Sequence, residues 1–205
     1  MYPIAAAGQS GYKINNSLRF RASATAYLSR TPASTGNRQT WTLSTWVKRG
    51  ALSSRQGIFN AFLDANNYLR LAFESTDTMF FNDVQAGADV YNLVTTQVFR
   101  DPSAWYHVVA VCDTTQATAA NRVKLYINGT QVTALATATY PSQNANGMVN
   151  TTNPHFIGRI YNPATSTYLY LDGYQTEINF IDGQALTPSS FGQFNPTTGV
   201  WQPIK

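Results

Sequence analysis

The sequence is poor in cysteine, and it has no long apolar run. Cys112 is the only cysteine among the 205 residues, so no disulfide can form within the chain. No stretch approaches the ~18 consecutive apolar residues of a membrane-spanning helix. The first residues lack the basic and apolar segments of a signal peptide. We therefore expect a chain that is made in a reducing cytoplasm and is not inserted into a membrane.

Charge is also scarce and is not clustered. Charged side chains make up 12% of the chain, about half of the roughly 25% that is typical of soluble domains. The net charge is +4, but the fourteen Lys and Arg residues are scattered singly or in pairs. Because nothing resembles a basic track for a phosphate backbone, we expect no nucleic-acid partner.

Aromatic and alternating apolar residues are abundant, and they predict strands. The run from Trp105 to Cys112 is apolar on both faces apart from His107, which is typical of a strand covered on both sides. Val123 to Ile127 alternates, and Asn128-Gly129 then supplies the positive φ angles of a two-residue hairpin turn. The predicted pairs are Ile127 with Thr130 and Leu125 with Val132.

Further alternating runs are separated by turn residues. The predicted strands cover residues 17–21, 26–30, 41–48, 57–63, 68–73, 155–160, 168–172 and 173–181. Residues 74–100 are ambiguous, with strands at 79–81 and 90–98 and turns around Asn82 and Gly87. Thr187-Pro188 predicts one short helical turn. Nearly all of the periodicity is that of strands, so the sequence predicts an all-β jelly-roll sandwich.

Three stretches, in order, resemble one family. The first is T-L-S-T-W-V-K (residues 42–48), the second is W-Y-H-V-V-A-V followed by V-K-L-Y-I-N-G-T-Q-V, and the third is the run from Leu171 to Leu186. They are similar to the laminin-G-like (LamG) branch of concanavalin A-like jelly rolls. The ending P-S-S-F-G-Q-F-N-P-T-T-G-V-W-Q-P-I-K resembles the LamG-type domains of tailed-bacteriophage virion proteins. This resemblance implies a laminin-G-like β-sandwich of antiparallel strands with at most short helical turns.

The two ends of the chain differ from its centre. We expect residues 1–16 to form an extended arm, residues 17–191 the sandwich, and residues 192–205 a Pro/Gly-containing tail or linker. Both ends carry apolar side chains that are too sparse for a core of their own. Such segments gain order when a neighbour covers them, which predicts contacts with other virion proteins and a homo-oligomer. The candidate assembly residues are Tyr2, Ile4, Phe194, Trp201 and Ile204.

No catalytic residue is predicted. Glucanases of this fold class place two carboxylates about 5–5.5 Å apart for retaining hydrolysis. Glu177 matches an acidic position of laminin-G-like domains, but Gln175 and Asn179 flank it on its own face, so we expect it to make a structural hydrogen bond. His107 and His155 have no serine motif or second cysteine beside them, and both are interpreted as structural.

Metal and sugar sites are less sharply indicated. Many laminin-G-like domains hold Ca²⁺ at a loop rim, and Asp64, Asn66 and Asn67 offer oxygen ligands in one short loop. Ordinary Asp/Asn turn chemistry is the favoured interpretation of the same residues, and Asp83 with Asp89 is a second candidate pair. Aromatic residues in the loop 161–170 or near Trp201 are suited to stacking on sugars, but no single ligand-binding residue stands out.

Three functions remain open, in this order. The first is a non-enzymatic component of a tailed-phage virion, in a fibre, appendage or capsid decoration, that mediates assembly and contacts cell-surface glycans. The second is a free carbohydrate-binding module or lectin, and the third is a polysaccharide-cleaving enzyme. The first implies a virion location, with synthesis in the host cytoplasm.

Overall fold

The computed structural model describes residues 12–205, which form 17 strands and three 3₁₀ turns. The strands are β1 (Leu18–Phe20), β2 (Leu28–Arg30), β3 (Thr40–Arg49), β4 (Gln56–Asp64), β5 (Asn67–Phe73), β6 (Met79–Gln85), β7 (Ala88–Thr95), β8 (Tyr106–Asp113), β9 (Val123–Ile127), β10 (Thr130–Gln131), β11 (Leu135–Thr139), β12 (His155–Ile157), β13 (Arg159–Asn162), β14 (Thr167–Tyr170), β15 (Gly173–Asp182), β16 (Gly192–Phe194) and β17 (Trp201–Pro203). The 3₁₀ turns cover Ala22–Ala24, Ala119–Asn121 and Pro188–Ser190. No helix in this part of the chain has the length and apolar character needed to cross a membrane.

Two antiparallel sheets make the sandwich, as predicted. The six-stranded sheet has the order β1-β15-β3-β8-β9-β10, and the seven-stranded sheet has the order β11-β7-β6-β5-β4-β12-β2. Alternate residues of each strand enter the core between them, because successive side chains of a strand point to opposite faces. On β3, Trp41, Leu43 and Val47 belong to this core, and Trp46 faces the other way.

The central hairpin has the predicted register. Asn128 (φ 48°) and Gly129 (φ 81°) form the turn, and Ile127 pairs with Thr130. The N–H of Val132 donates to the carbonyl of Leu125 at 2.8 Å. β8 lies between β3 and β9, so it is covered on both edges as well as by the core.

The ambiguous segment resolves into β6 and β7, joined by a turn at Ala86-Gly87. The prediction of a turn around Asn82 is therefore wrong, because Asn82 lies inside β6. Its side-chain oxygen accepts a hydrogen bond from Nε of Arg70 on β5 at 3.2 Å. A cross-strand partner thus overrides the turn preference of a single asparagine.

A short hairpin covers the outer face of the seven-stranded sheet. The predicted strand 155–160 divides at Gly158 (φ 84°): β12 stays in the sheet, and β13 pairs with β14 across its outer face. A side chain at Gly57 would overlap the backbone where Arg159 joins Ile160. A glycine is required there because the hairpin crosses so closely.

The C-terminal segment differs from the expected linker. Residues 192–203 form the β16–β17 hairpin, which packs on the outer face of the six-stranded sheet of the same chain. The Gly and Pro residues that suggested a linker instead shape this hairpin and give Trp201 access to the sheet. Expected assembly contacts at Tyr2 and Ile4 fall on residues 1–11, outside the described part of the chain.

Candidate functional site

His107 is the centre of the outer face of the six-stranded sheet. It lies on β8 opposite Trp46 of β3, and the two rings stack with centroids 4.8 Å apart. Its Nε2 lies 2.9 Å from Oγ of Ser44, and the indole N–H of Trp201 donates to its Nδ1 at 3.0 Å. The ring is completely buried, because the β16–β17 hairpin lies over it.

The protonation of His107 follows from these two contacts. An indole nitrogen is only a donor, so Nδ1 must offer its lone pair, and the proton of the neutral ring sits on Nε2. Nε2–H then donates to Ser44. Burial lowers the pKa of His107 from 6.5 to about 4, so the ring is neutral at pH 7.

Ser44 and His107 therefore do not form a nucleophile and base, although their separation is that of one. A general base must accept the hydroxyl proton of the serine, but the Nε2 that faces Ser44 already carries a proton. Both side chains are also at most 1% exposed. The sequence prediction that His107 is structural agrees with this geometry.

Trp201 is positioned by two glycines as well as by His107. A side-chain carbon at Gly129 of the Asn-Gly turn would overlap the indole ring, and so would one at Gly192 of β16. The ring therefore approaches both backbones more closely than any other residue would allow. Phe194, beside it on the hairpin, meets the indole edge to face with centroids 4.9 Å apart.

A pocket of about 240 Å³ lies on one side of this contact, with Ser44, Trp46, His107, Glu177, Asn179 and Phe191 in its walls. Glu177 has a φ of 47° and sits in a β-bulge between Thr176 and Asn179, which turns its side chain toward the pocket. Its Oε1 accepts a hydrogen bond from the hydroxyl of Tyr12 at 3.1 Å. Glu177 is the one carboxylate among the described residues lining this pocket.

A larger cleft of about 600 Å³ opens on the other side of Trp201, between the C-terminal hairpin and β9–β10. Its aromatic walls are Tyr126, Phe194 and Trp201, and Gln193 and Ser189 supply polar groups. No charged side chain lines it among the residues that the structure describes. Phe194 is 52% exposed, so its ring is available to a ligand.

The candidate metal ligands form a compact turn between β4 and β5. Oδ1 of Asp64 accepts hydrogen bonds from the backbone N–H of Asn66 at 2.8 Å and from Nδ2 of Asn67 at 2.9 Å. The Asn67 side chain and then the Asn66 backbone hold the pKa of Asp64 below its ordinary value. This is the geometry of ordinary Asp/Asn turns, and calcium binding at these three residues stays a prediction.

Asp83 and Asp89 do not come together. Asp83 faces the core, where Oδ2 accepts the backbone N–H of Met148 at 2.7 Å, and it is completely buried. Asp89 pairs with Val84, which follows Asp83 in the strand and points to the opposite face of the sheet. The two carboxylates therefore lie on different faces. Within residues 12–205, no group of three or more His, Cys, Asp and Glu residues could hold a metal ion.

Comparison with known proteins agrees with this fold. The model of the laminin-G family Laminin_G_3, described as the concanavalin A-like lectin/glucanases superfamily, matches residues 22–190. The chain belongs to this superfamily. No curated protein sequence matches it.

Three solved structures illustrate the similarity of fold. The heptameric SAP-like pentraxin of Limulus polyphemus is 16% identical, with a TM-score of 0.54 over 80% of this chain and 72% of the pentraxin. The CBM40 domain of the Ruminococcus gnavus IT-sialidase, bound to α2,3-sialyllactose, is 13% identical, with a TM-score of 0.50 over 80% and 95% of the two chains. Domain 4 of AbnA, a GH43 arabinanase of Geobacillus stearothermophilus in complex with arabinotriose, is 19% identical, with a TM-score of 0.50 over 77% and 65%. At these identities the likeness shows the shared fold.

Sequence reasoning found part of the outer-face site. It named Trp201 and Phe194 as assembly contacts, the region near Trp201 also as one of two places for sugar stacking, and His107 without a partner. It missed Ser44, Trp46 and Tyr126. One signal in the sequence could have found them. Ser44 and Trp46 lie on the face of β3 that points away from the core, and a tryptophan on that face indicates that another segment covers it.

Proposed function

We propose that the chain is a non-catalytic glycan-binding domain and that the cleft between the C-terminal hairpin and β9–β10 is its sugar site. The observation that carries this proposal is the aromatic wall of Tyr126, Phe194 and Trp201 in a cleft of about 600 Å³. That volume lies within the roughly 300–1,000 Å³ of small-molecule sites, whereas the pocket beside Glu177 is smaller. Aromatic faces pack against the apolar faces of sugar rings.

The cleft favours a neutral sugar. No described residue in its walls carries a charge, and its polar groups are the amide of Gln193 and the hydroxyls of Thr187 and Ser189. Amides and hydroxyls both donate and accept hydrogen bonds, which matches the hydroxyls of a sugar. Structures with the same fold in complex with arabinotriose and with sialyllactose support a carbohydrate as the ligand class, and the uncharged walls of the cleft carry the choice of a neutral one.

The site chemistry argues against hydrolysis. Glycosidases with the usual mechanism need two carboxylates beside the scissile bond, and Glu177 is the one residue with a carboxylate side chain among the described residues of its pocket. The indole of Trp201 fixes His107 in the form that cannot take a proton from Ser44. Binding without turnover is therefore the function that we assign.

For the biological setting, we propose a component of a tailed-phage virion, in a fibre, appendage or capsid decoration. The support is the resemblance of the ending from Pro188 to Lys205 to virion LamG domains, and this segment also builds the cleft. Other virion proteins and further copies of the chain would be its partners, with cell-surface glycans as the contacted ligand. A free lectin is the second candidate, because a sugar cleft needs no assembly. Cryo-electron microscopy of a particle that contains the chain separates the two.

Two substitutions on the β16–β17 hairpin test whether the cleft binds the sugar. In calorimetric titrations with neutral oligosaccharides selected on a glycan array, we expect Phe194→Ala to weaken binding by about fivefold or more, because stacking contacts contribute roughly 1 kcal/mol or more. Val200→Ala is the matched control, since Val200 is 62% exposed on the same hairpin and lies outside the cleft walls. Equal affinity of both variants and the unchanged protein would reject the cleft as the site.

A further inference from the structure

Arg159 lies in a cage of three aromatic rings on the outer face of the seven-stranded sheet. Its Cζ is 3.6 Å from the ring centre of Tyr27, 3.8 Å from that of Phe156 and 3.9 Å from that of Tyr168. These rings come from the segment before β2, from β12 and from β14, and Arg159 begins β13. The side chain is 9% exposed. The cage is therefore built by several elements and holds the guanidinium in one place.

Two other buried arginines have acceptors, and Arg159 does not. Nη1 of Arg49 pairs with Asp77 at 3.0 Å and donates to the carbonyl of Phe99 at 2.8 Å. Arg70 donates to Oδ1 of Asn82 at 3.2 Å and to the carbonyl of Tyr161 at 3.3 Å. Among residues 12–205, Arg159 has no carboxylate in ion-pair range, and its Nε is buried without a partner.

An unpaired buried guanidinium is costly, and the rings offset only part of that cost. Cation–π contacts contribute roughly 0.5–2 kcal/mol, which is less than the cost of removing a charge from water. An anion from outside the chain would supply the missing acceptor. Nε is buried without a partner, whereas Nη1 and Nη2 are not among the fully buried atoms without a partner, so the two terminal nitrogens are the groups that an outside anion can reach.

The opening of the cage is lined by tyrosines. Tyr27 is 41% exposed, and the half-buried ring of Tyr170 lies 6.3 Å from it, centre to centre. The guanidinium lies between ring faces, so a planar carboxylate fits in its plane better than a tetrahedral anion does. The exposed ring of Tyr27 and the neighbouring ring of Tyr170 are available to the body of a ligand whose carboxylate reaches Arg159.

We propose that Arg159, with Tyr27 and Tyr170 at its rim, binds the carboxylate of an acidic sugar such as a uronic acid. The site is separate from the neutral cleft, because it lies on the outer face of the other sheet. Only the choice of a sugar as the carrier of the carboxylate rests on the proposed function. The two sites together would let the domain bind a glycan that contains both neutral and acidic units.

The test compares two sugars that differ in one group. Methyl β-glucuronide and methyl β-glucoside share a ring, and only the first has a carboxylate. In NMR titrations of the full chain followed at the Nε–H signal of Arg159, we expect the glucuronide to bind at least about tenfold more tightly than the glucoside, since bidentate charge-assisted pairs are strong. Arg159→Met should abolish the difference, because its thioether fills the cage without charge.

Matched variants keep the result interpretable. Arg30→Met removes the same charge from the exposed end of β2 and should leave the preference for glucuronide intact. If Arg159→Met does not fold, Arg159→Lys keeps the charge in the cage but loses the fork, and it should reduce the preference by at least several-fold. The Nε–H signal of Arg159 reports on the cage and the indole N–H signal of Trp201 reports on the cleft, so a failed cleft and a failed cage give different results.

Three outcomes would overturn the proposal. They are equal binding of glucuronide and glucoside, an unchanged preference in a folded Arg159 variant, and inorganic sulfate that displaces glucuronide at equal concentration. The last would show an anion site with no selectivity for a sugar carboxylate.

Discussion

Nε1 of Trp201 lies 3.0 Å from Nδ1 of His107, and this contact joins β17 to β8 of the six-stranded sheet. The hydrogen bond fixes the imidazole tautomer, buries the ring, and holds the hairpin that forms one wall of the cleft. This one contact therefore links three properties. They are the stability of the C-terminal hairpin, the inability of His107 to act as a base toward Ser44, and the shape of the proposed sugar site.

The link to the Asn-Gly turn predicts a coupling between two residues. Gly87 and Gly129 have nearly the same φ (78° and 81°), so Gly→Ala at either incurs the same left-handed penalty of roughly 1–2 kcal/mol. Gly129→Ala should cost about 1–3 kcal/mol more, because it must also displace the indole of Trp201. Thermal or chemical unfolding measures both. In a Trp201→Ala background the excess should vanish, and an excess that persists would mean that the contact is not the cause.

The hydrogen bond itself predicts acid sensitivity. Because the pKa of His107 is lowered to about 4 in the folded state, its contribution to stability is present above its unfolded pKa of 6.5 and is lost as the pH falls through about 4. Protonated Nδ1 cannot accept from Trp201, so the indole N–H should lose its protection from hydrogen exchange in that range. Trp41, whose indole lies in the core, is the internal control. Loss of protection at both indoles together would indicate global unfolding instead.

Asp83 predicts a pH dependence of the opposite sign. Burial raises the pKa of Asp83 to about 7, so the stability of its protonated form is fully present below pH ~4 and is lost as the pH rises through about 7. Asp83→Asn keeps an acceptor for the N–H of Met148 and cannot ionise. Relative to this variant, the free energy of unfolding of the unchanged protein should fall by on the order of 4 kcal/mol between pH 4 and 8, since each unit of pKa shift corresponds to about 1.4 kcal/mol. If the difference in free energy of unfolding between the unchanged protein and Asp83→Asn stays constant over this range, Asp83 is not a buried carboxyl that titrates near pH 7.

The hairpin and the core strands were predictable because their signals are local. Asn128-Gly129 and the alternation in β9 specify a turn and a register within ten residues, and the structure has both. The contact between Trp201 and His107 spans 94 positions and has no local signature. The same Gly and Pro residues that allow it are also typical of a linker. The cage around Arg159 was likewise invisible, because it gathers rings from three separate segments.

Catalytic silence is predicted from the same geometry. Incubation with a panel of β-glucans and host-surface polysaccharides should release no reducing ends above background, because none of the other described residues lining the pocket of Glu177 has a carboxylate side chain. Glu177→Gln should change neither this result nor glycan affinity in the cleft. Turnover that Glu177→Gln abolishes would establish an enzyme.

The most direct test of the central claim is the position of a bound neutral oligosaccharide, read from the four tryptophan indole N–H signals in an NMR titration. Trp201 lines the proposed cleft and Trp46 lines the pocket beside Glu177. We expect the Trp201 signal to shift with saturation while those of Trp41 and Trp46 stay in place. A saturable shift confined to Trp46, or binding with no shift at Trp201, would contradict a sugar site at the C-terminal hairpin.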